Sequence, residues 1–313
     1  MVKPNSSRIF EAPVWGQPAV IPQRYRNVTP STHRYVSQRL SLSYVTWGTP
    51  DRPPLFLIHG GRDNARSWDW IAAALCEKWY VIAPDLRGHG DSAWSPDGDY
   101  TASAYVYDLA QLMHQLNVDS ITIVAHSMGA HLAIRLSGVY PEKVAKVVAI
   151  EGFGFGPENS AAFPPEQIGE RLRNWIEQKR GLSMRFPKRY PSLAAARARI
   201  LTEHTYLADH QASHLTKHGV NQNEDGTFTW KFDHYVNLWD HIDIKPAEWI
   251  QLCSNVLCPV LLIYGSDSWV DQSTDNRIEG LPNAASVEIS SAGHWPHHQR
   301  LDETLRLIRH FIE

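Results

Sequence analysis

The chain has 313 residues, of which 43% are hydrophobic and 20% charged, and its formal net charge is −3. This balance supplies enough apolar material for a core, and the small net charge gives no reason to expect a nucleic acid or an anionic membrane as a partner. No run of about 18 apolar residues occurs, so we expect no membrane-spanning helix. Residues 1–31 are rich in Pro, Asn and Ser and indicate an irregular arm without a secretory signal, and the three cysteines lack metal or disulfide spacing. These features predict a cytoplasmic protein.

Strand-like and helical segments alternate along most of the chain. Eight short segments have strand-like patterns: 34–36, 41–47, 54–58, 80–83, 120–124, 144–150, 259–264 and 286–289. Four segments have apolar residues at helical spacing: 68–77, 103–116, 128–139 and 302–311. This alternation indicates βαβ units, and continuously apolar strands such as 55–58 indicate a sheet that is covered on both faces. The predicted fold is therefore α/β, with a mostly parallel twisted sheet flanked by helices, and its core is formed by 1–153 and 256–313.

A glycine-rich loop, His59-Gly60-Gly61, directly follows the third strand. Glycines let a backbone approach a reacting group closely, and the N–H of Gly61 could then point at a developing negative charge. The simpler interpretation is an ordinary glycine turn at the end of a strand. We predict that Gly61 contributes one N–H group to an oxyanion hole.

The most informative segment is the strand-turn-helix pattern at 121–139. Its turn reads Ala-His-Ser-Met-Gly at 125–129, with Ser127 at the apex. Such a turn is a nucleophile elbow, which holds a serine hydroxyl at the end of a sheet, with small residues beside it because strand and helix crowd together. Ala125 replaces the first glycine of the usual motif, so the match depends on its strand-turn-helix setting. We predict Ser127 as a nucleophile and the N–H of Met128 as the second oxyanion donor.

A serine nucleophile needs a base, which is most often a histidine close in space and distant in sequence. His294 lies in a loop at 291–296, between the last predicted strand and the last predicted helix. We therefore predict His294 as the base. His297 and His298 follow it, and we interpret them as solvated or helix-capping residues.

These segments, together with Asp-Leu-Arg-Gly-His-Gly-Asp-Ser at 85–92, resemble the α/β-hydrolase family over about 35–153 and 256–313. The resemblance implies the serine-nucleophile, esterase-like branch, because Ser127 stands where haloalkane dehalogenases and many epoxide hydrolases have an aspartate. It implies hydrolysis of a small carboxylic ester or related acyl compound through an acyl-enzyme, with no cofactor and no metal. A carbon–carbon bond hydrolase with the same catalytic residues, or a ligand-binding receptor on the same fold, stays as an alternative.

Two carboxylates are candidates for the third catalytic group. The family usually has an aspartate three residues after a glycine that ends the seventh strand, but here Gly265 is followed at that distance by Ser268, with Asp267 one residue early. A second family position lies after the sixth strand, where this chain has Glu151, 24 residues beyond Ser127. A carboxylate at the end of an apolar strand is costly to bury without a partner. We favour Glu151 as the acid and keep Asp267 as the alternative.

Residues 154–255 interrupt the alternation, with helical patterns at 166–179 and 193–206 and a polar turn at 221–226. We interpret this segment as a helical cap or lid inserted after strand six. Several of its aromatic side chains could form a wall that favours an apolar or aromatic substrate group, or could only pack the cap onto the core: Trp175, Trp230, Phe232, Tyr235 and Trp239.

Two further groups of side chains could serve a site. Arg62 and Arg66, beside the glycine-rich loop, could recognise a substrate carboxylate. His210, His214 and His218 recur at a spacing that can bind a metal, but no metal-protease motif accompanies them and we predict no metal there.

Overall fold

The structure is a computed structural model and describes residues 28–152, 167–238, 243–269 and 280–313. Its centre is an eight-stranded sheet in the order β1-β2-β4-β3-β5-β6-β9-β10. The strands span Ser31–Ser37 (β1), Leu40–Trp47 (β2), Pro54–Ile58 (β3), Tyr80–Pro84 (β4), Ile121–His126 (β5), Val144–Ile150 (β6), Val260–Gly265 (β9) and Ala284–Ile289 (β10). Strand β2 is antiparallel to both of its neighbours, and the other pairs are parallel. The predicted α/β class with a mostly parallel sheet is confirmed.

Helices cover both faces of this sheet. The helices are Asp69–Leu75 (α1), Ala102–Gln115 (α2), Met128–Val139 (α3), Ile168–Ser183 (α4), Leu193–Glu203 (α5), Asp209–Gly219 (α6), Pro246–Ser254 (α7), Pro296–Gln299 (α8) and Leu301–Ile312 (α9). Side chains of α2, α3 and α7 pack with Phe56 and Ile58 on one face, and side chains of α1 and α9 pack with Leu55 and Leu57 on the other. Successive side chains of a strand point to opposite faces, which is why β3 is apolar at every position.

The segment between β6 and β9 differs in character from the rest. It holds α4 to α7 and a short hairpin of β7 (Val220–Gln222) and β8 (Phe228–Trp230), which pair in antiparallel register around the predicted polar turn. Its last helix, α7, packs on α3, with Trp249 and Cys253 buried among core side chains. Most of the predicted N-terminal arm (1–27) and Trp239 lie outside the described residues.

The carboxyl ends of the parallel strands meet at one edge of the sheet, the usual place for a site in an α/β fold. Loops after β3, β5, β6, β9 and β10 leave that edge and carry Gly61, Ser127, Glu151, Ser268 and His294 respectively, and the loop after β4 leaves it as well. Within the described ranges, no helix is both long enough and apolar enough to cross a membrane.

Candidate active site

Ser127 lies at the sharp turn between β5 and α3, with φ of 51° and ψ of −121°. This conformation is unfavourable for a residue with a Cβ atom, and the surrounding structure fixes it. The N–H of Ser127 donates to the carbonyl of Ile150 at the end of β6, over 2.8 Å. The half-buried hydroxyl is thus held at the edge of the sheet.

The crowding expected around the elbow occurs at Gly129. A Cβ atom there would lie 2.4 Å from the carbonyl oxygen of His59 and 2.6 Å from that of Ile58. Only glycine lets α3 pass this close to the end of β3. The close approach also brings the glycine-rich loop beside the serine.

His294 connects the serine to a carboxylate. Its Nε2 lies 3.0 Å from the Oγ of Ser127, and its Nδ1 lies 3.1 Å from an oxygen of Glu151. A carboxylate only accepts hydrogen bonds, so Nδ1 carries the hydrogen and Nε2 is free to accept the serine proton. The structure therefore brings together Ser127, His294 and Glu151.

Glu151 is fully buried at the end of β6 and has φ of 55°. One carboxylate oxygen accepts the N–H of Gly265 over 2.6 Å, and the other accepts the hydroxyl of Ser268 and faces His294. These three donors offset the cost of burying a carboxylate. Glu151 thus binds a backbone amide at the end of β9 as well as the imidazole.

Asp267 is exposed. It accepts the hydroxyl of Ser266 over 2.9 Å, and its N–H donates to the carbonyl of Ala292 over 2.8 Å. The structure brings Glu151, and not Asp267, to His294.

The two predicted oxyanion donors flank the serine. A Cβ at Gly60 would lie 3.1 Å from the Cβ of Ser127, so the loop that carries Gly61 passes directly beside it. Met128 is the first residue of α3, where N–H groups have no acceptor within the helix. The N–H of Met128 could therefore donate to a ligand above Ser127, and Gly61 lies on the loop beside it.

His59, in the same loop, is part of the scaffold. Its Nε2 accepts the N–H of Leu86 over 3.0 Å, and its Nδ1 donates to the carbonyl of Gly60 over 2.7 Å. Burial lowers the pKa of His59 to about 3, so the ring is neutral. It ties the glycine-rich loop to the loop after β4.

A cavity of about 760 Å³ opens between the glycine-rich loop and the segment that follows β6. Gly61 and Arg62 line it on one side, and Trp295 lies beside His294. Of the predicted aromatic wall, Trp230 and Phe232 line this cavity, whereas Trp175 and Tyr235 do not. Further aromatic and cationic side chains also face it: Phe186, Tyr190, Tyr206, Arg185, Lys188, Arg199 and Lys231.

Arg66, His214 and His218 form a polar cluster outside this cavity, whereas His210 is exposed and its ring contacts Trp70. Arg66 donates twice to Asp69, over 2.8 Å and 2.7 Å. Of the two arginines that could recognise a substrate carboxylate, Arg62 lines the cavity and Arg66 does not. His214 lies 3.2 Å from the carboxylate of Asp69, and Nδ1 of His218 lies 3.3 Å from Arg66. The guanidinium of Arg66 already supplies the positive charge in this cluster.

The interpretation of His297 and His298 as solvated residues is wrong. Their exposed fractions are 1% and 6%. Helix α8 turns both rings inward, where they pack against Trp68 and Trp70 respectively. Two adjacent histidines give no sequence signal for burial, because histidine is usually polar surface or a ligand.

Comparison with known proteins decides the family. A family model for the alpha/beta hydrolase fold matches residues 53–301. The chain belongs to the α/β-hydrolase family. The resemblance found in the sequence is thereby confirmed.

Several relatives of this hydrolase have names that describe hydrolases. A serine hydrolase-like protein of Danio rerio is 30% identical over 223 residues, which cover 71% of this chain and 67% of that protein. An esterase of Mycobacterium tuberculosis is 27% identical over 267 residues, which cover 81% of this chain and 80% of that protein. Among solved structures, a thioesterase domain from the curacin biosynthetic pathway is similar in fold, with a TM-score of 0.77, 20% identity and coverage of 89% of this chain and 99% of that one.

Ser268 is the residue of the site to which sequence reasoning gave no role. It occupies the third position after Gly265, where the family usually has the acid, and its hydroxyl donates to Glu151. The sequence does hold a signal for this contact: Ser268 can donate a hydrogen bond, and Glu151, which follows the neighbouring strand, can accept one.

Proposed function

We propose that this α/β-hydrolase is a serine esterase that cleaves a carboxylic ester or related acyl compound through Ser127, His294 and Glu151. The observation that carries the proposal is the position of His294, with one nitrogen 3.0 Å from the hydroxyl of Ser127 and the other 3.1 Å from Glu151. A serine on an elbow, a base within hydrogen-bond distance and a carboxylate behind the base are the parts that nucleophilic acyl transfer needs. The names of the relatives agree with this chemistry.

The first half of the reaction forms an acyl-enzyme. The Oγ of Ser127 attacks the carbonyl carbon while its proton passes to Nε2 of His294, and Glu151 stabilises the resulting imidazolium through Nδ1–H. The carbonyl oxygen becomes an oxyanion and accepts the N–H groups of Gly61 and Met128. When this intermediate collapses, the bond to the leaving alcohol breaks and the alcohol takes the proton from Nε2.

The second half returns the free enzyme. A water molecule attacks the acyl carbon and gives its proton to Nε2 of His294. The second tetrahedral intermediate collapses, the acid product leaves, and the Oγ of Ser127 recovers its proton from the imidazolium. Each step uses only groups of the chain, the substrate and water.

The segment between β6 and β9 is proposed as the cap that selects the substrate. Polar contacts attach it to the core near the cavity: Tyr100 donates to Asp233 over 2.6 Å, and Lys231 pairs with Asp91 over 2.6 Å. The rings of Trp230 and Phe232 on the cavity wall support an apolar or aromatic acyl or alcohol group.

The first experiment compares hydrolysis of p-nitrophenyl butyrate by the wild type, Ser127→Ala and the control Ser183→Ala. Ser183 is exposed and bonds only locally, to the carbonyl of Arg180 among described groups. We expect a loss of at least ~10⁴-fold in kcat for Ser127→Ala and none for the control. Equal rates in all three proteins would refute Ser127 as the nucleophile.

The alternatives give different results in the same assay. A carbon–carbon bond hydrolase would leave the ester intact but cleave a dienoate-type diketone, with the same dependence on Ser127. A ligand-binding receptor would show negligible turnover, tight binding of a ligand and an unchanged affinity in Ser127→Ala.

A further inference from the structure

Three side chains that can bind a metal converge behind the nucleophile loop. Asp63 follows β3, His126 ends β5 and His297 lies in α8, and one ligand atom from each lies within 4.8 Å of the others. The two histidines are buried, whereas Asp63 lines the cavity. None of the three has a role in the proposed mechanism.

His297 has no polar partner for either ring nitrogen among the described residues. Its ring is 1% exposed and packs between Trp68, at 5.0 Å between ring centroids, and His126, at 4.4 Å. A buried N–H group without an acceptor destabilises the folded state. An apolar ring would fill this space without that cost. The two ring nitrogens of His297 therefore indicate that a ligand binds here.

His126 has the hydrogen placement that metal-binding histidines use. Its Nε2 lies 2.7 Å from the carbonyl oxygen of His294, and a carbonyl only accepts, so Nε2 carries the hydrogen. Nδ1 therefore has a lone pair, and no described group bonds to it. An imidazole that donates one N–H to a backbone carbonyl and offers its other nitrogen is the usual arrangement at metal sites.

The space beside this lone pair is kept clear by glycine. A Cβ atom at Gly60 would lie 2.9 Å from Nδ1 of His126. The loop therefore passes this nitrogen without placing a side chain on it.

The charges also suit a cation. Burial lowers the pKa of both His126 and His297 well below the usual value, so both rings are neutral, as metal binding requires. Burial raises the pKa of Asp63 to about 7, although hydrogen bonds from Asn64 and Ser67 act in the opposite direction. One oxygen of Asp63 accepts the N–H of Asn64 over 2.8 Å, and a dication would offset the remaining charge.

We infer that Asp63, His126 and His297 form a binding site for a first-row transition metal ion such as Zn²⁺, and that the bound ion inhibits hydrolysis. Two imidazole nitrogens and one carboxylate oxygen are a donor set that Zn²⁺ accepts, with water in the fourth position. Ligand atoms of a tetrahedral zinc site lie ~3.3 Å apart. The three side chains must therefore close up slightly, and Asp63, on the cavity wall, has room to move.

Inhibition follows from the position of the site and rests on the proposed function. The rings of His126 and His294 lie 5.0 Å apart, and His126 holds the backbone of His294 through its Nε2. A dication at His126 would disfavour the imidazolium that His294 must form when Ser127 attacks.

Metal binding is tested without any substrate. We would titrate the chelator-treated full chain with ZnCl₂ by calorimetry and with CoCl₂ by visible absorption, and expect one ion per chain and the spectrum of a four-coordinate cobalt site. His297→Gln and Asp63→Asn should each weaken Zn²⁺ binding by at least ~100-fold. If His297→Gln does not fold, as judged by circular dichroism, the test rests on Asp63→Asn, at a partly buried position on the cavity wall.

Two controls cover the other places where an ion could bind. His218→Gln removes a ligand from the cluster of Asp69, His214 and His218 and should leave Zn²⁺ affinity unchanged. His294→Gln should also retain binding. Unchanged affinity in Asp63→Asn, or loss of binding in either control, would overturn the site.

Inhibition is measured separately with p-nitrophenyl butyrate. We expect Zn²⁺ to inhibit the wild type over the concentration range in which it binds, and the inhibition constant to rise in Asp63→Asn in parallel with the dissociation constant. If Asp63→Asn is still inhibited by the Zn²⁺ concentrations that inhibit the wild type, the inhibitory role of this site is overturned. If the esterase proposal itself fails, turnover is absent, but calorimetry still reports the metal site.

Discussion

Ser127 and Glu151 both have positive φ values, 51° and 55°, at the ends of neighbouring strands. Non-glycine residues adopt such conformations at a cost of about 1–3 kcal/mol each, and the rest of the fold must supply that free energy. Seven described non-glycine residues have positive φ, and two of them are candidate catalytic residues. Strain at the residue scale is therefore tied to placing a hydroxyl and a carboxylate at one edge of the sheet.

Replacing Ser127 by glycine should separate stability from activity. Ser127→Gly removes the Cβ atom that disfavours the backbone conformation, so we expect the free energy of unfolding to rise by about 1 kcal/mol while hydrolysis is lost. Ser127→Ala keeps the Cβ atom, so it should lose activity without a rise in the free energy of unfolding. Urea denaturation of the two variants and the wild type measures the difference, and equal stability of the two variants would contradict it.

Glu151→Gln should lower kcat by ~10³–10⁴-fold, because an amide cannot stabilise the imidazolium and favours the wrong tautomer of His294. The neighbouring change Asp267→Asn should alter kcat by less than about twofold, since Asp267 is exposed and bonds to Ser266. Steady-state kinetics on one ester compares the two variants. A large loss in Asp267→Asn with little in Glu151→Gln would reverse the assignment of the acid.

At the scale of elements, a buried ion pair holds the loop after β4 against α2. Arg87 and Asp108 are both 2% exposed and form two bonds, of 2.6 Å and 2.8 Å, and Ser37 of β1 donates to the same carboxylate over 2.6 Å. This network joins β1, the loop after β4 and α2. It gives the Arg-Gly-His-Gly turn a structural role.

Breaking this pair should destabilise the fold without touching the site. Asp108→Ala leaves the guanidinium of Arg87 buried without its main partner, and we expect a loss of about 3–5 kcal/mol in the free energy of unfolding. The control Asp99→Ala removes the longer contact of 3.5 Å to Arg87 and a bond of 3.3 Å from the N–H of Thr101. Both involve a half-exposed side chain, so the change should cost less than about 1 kcal/mol. Thermal denaturation followed by circular dichroism measures both, and comparable losses would contradict the expectation.

Elements that bury apolar residues on a regular repeat could be predicted from the sequence. The predicted strands 54–58 and 144–150 coincide with β3 and β6, and the predicted helix 128–139 coincides with α3. The hairpin of β7 and β8 could not be predicted in this way, because each strand has three residues, too few to show an alternation. The inward turn of His297 depends on how α8 packs on other elements, which local sequence does not encode.

The candidate site was predictable as far as it rests on local turns. The elbow at Ser127 and the loop at His294 are read from consecutive residues, and both contacts of His294 join residues that the sequence had singled out. The choice between Glu151 and Asp267 was left open because it depends on how β6 and β9 pair. In the parallel register, Ile150 lies beside Ile263, which places Glu151 next to the end of β9.

For the whole molecule, buried histidines make stability sensitive to acid. Burial lowers the pKa of His59 to about 3, of His89 to about 4 and of His298 to about 3, and lowers those of His126 and His297 further from their usual value. Near pH 5 these five rings are neutral in the folded protein and would be protonated in the unfolded chain, where their pKa is about 6.5. Acidification therefore favours unfolding.

Two carboxyl groups act in the opposite direction. Burial raises the pKa of Asp63 to about 7 and of Asp85 to about 6, so near pH 5 the folded protein holds protons on them that the unfolded chain would release. Five histidines outweigh two carboxyl groups. Burial also lowers the pKa of His131 to about 3, which adds a sixth ring. We expect the free energy of unfolding to fall by at least about 5 kcal/mol per pH unit near pH 5.

Urea midpoints at pH 7, 6 and 5 measure this dependence. His89→Gln, which removes one buried titrating ring, should reduce the slope near pH 5 by about 1.4 kcal/mol per pH unit. A free energy of unfolding that is constant between pH 7 and pH 5 would contradict the account.

The placement of Glu151 on β6 has a consequence for how turnover responds to motion. Ser127 and Glu151 belong to one β5–α3–β6 unit, whose strand spacing of about 4.8 Å is fixed by backbone hydrogen bonds, whereas His294 lies on the loop between β10 and α8. When that loop fluctuates, the imidazole moves relative to Ser127 and Glu151, which stay nearly fixed. A displacement of about 1 Å greatly lowers the rate of proton transfer. Heat should therefore stop turnover reversibly some degrees below the temperature at which the sheet melts.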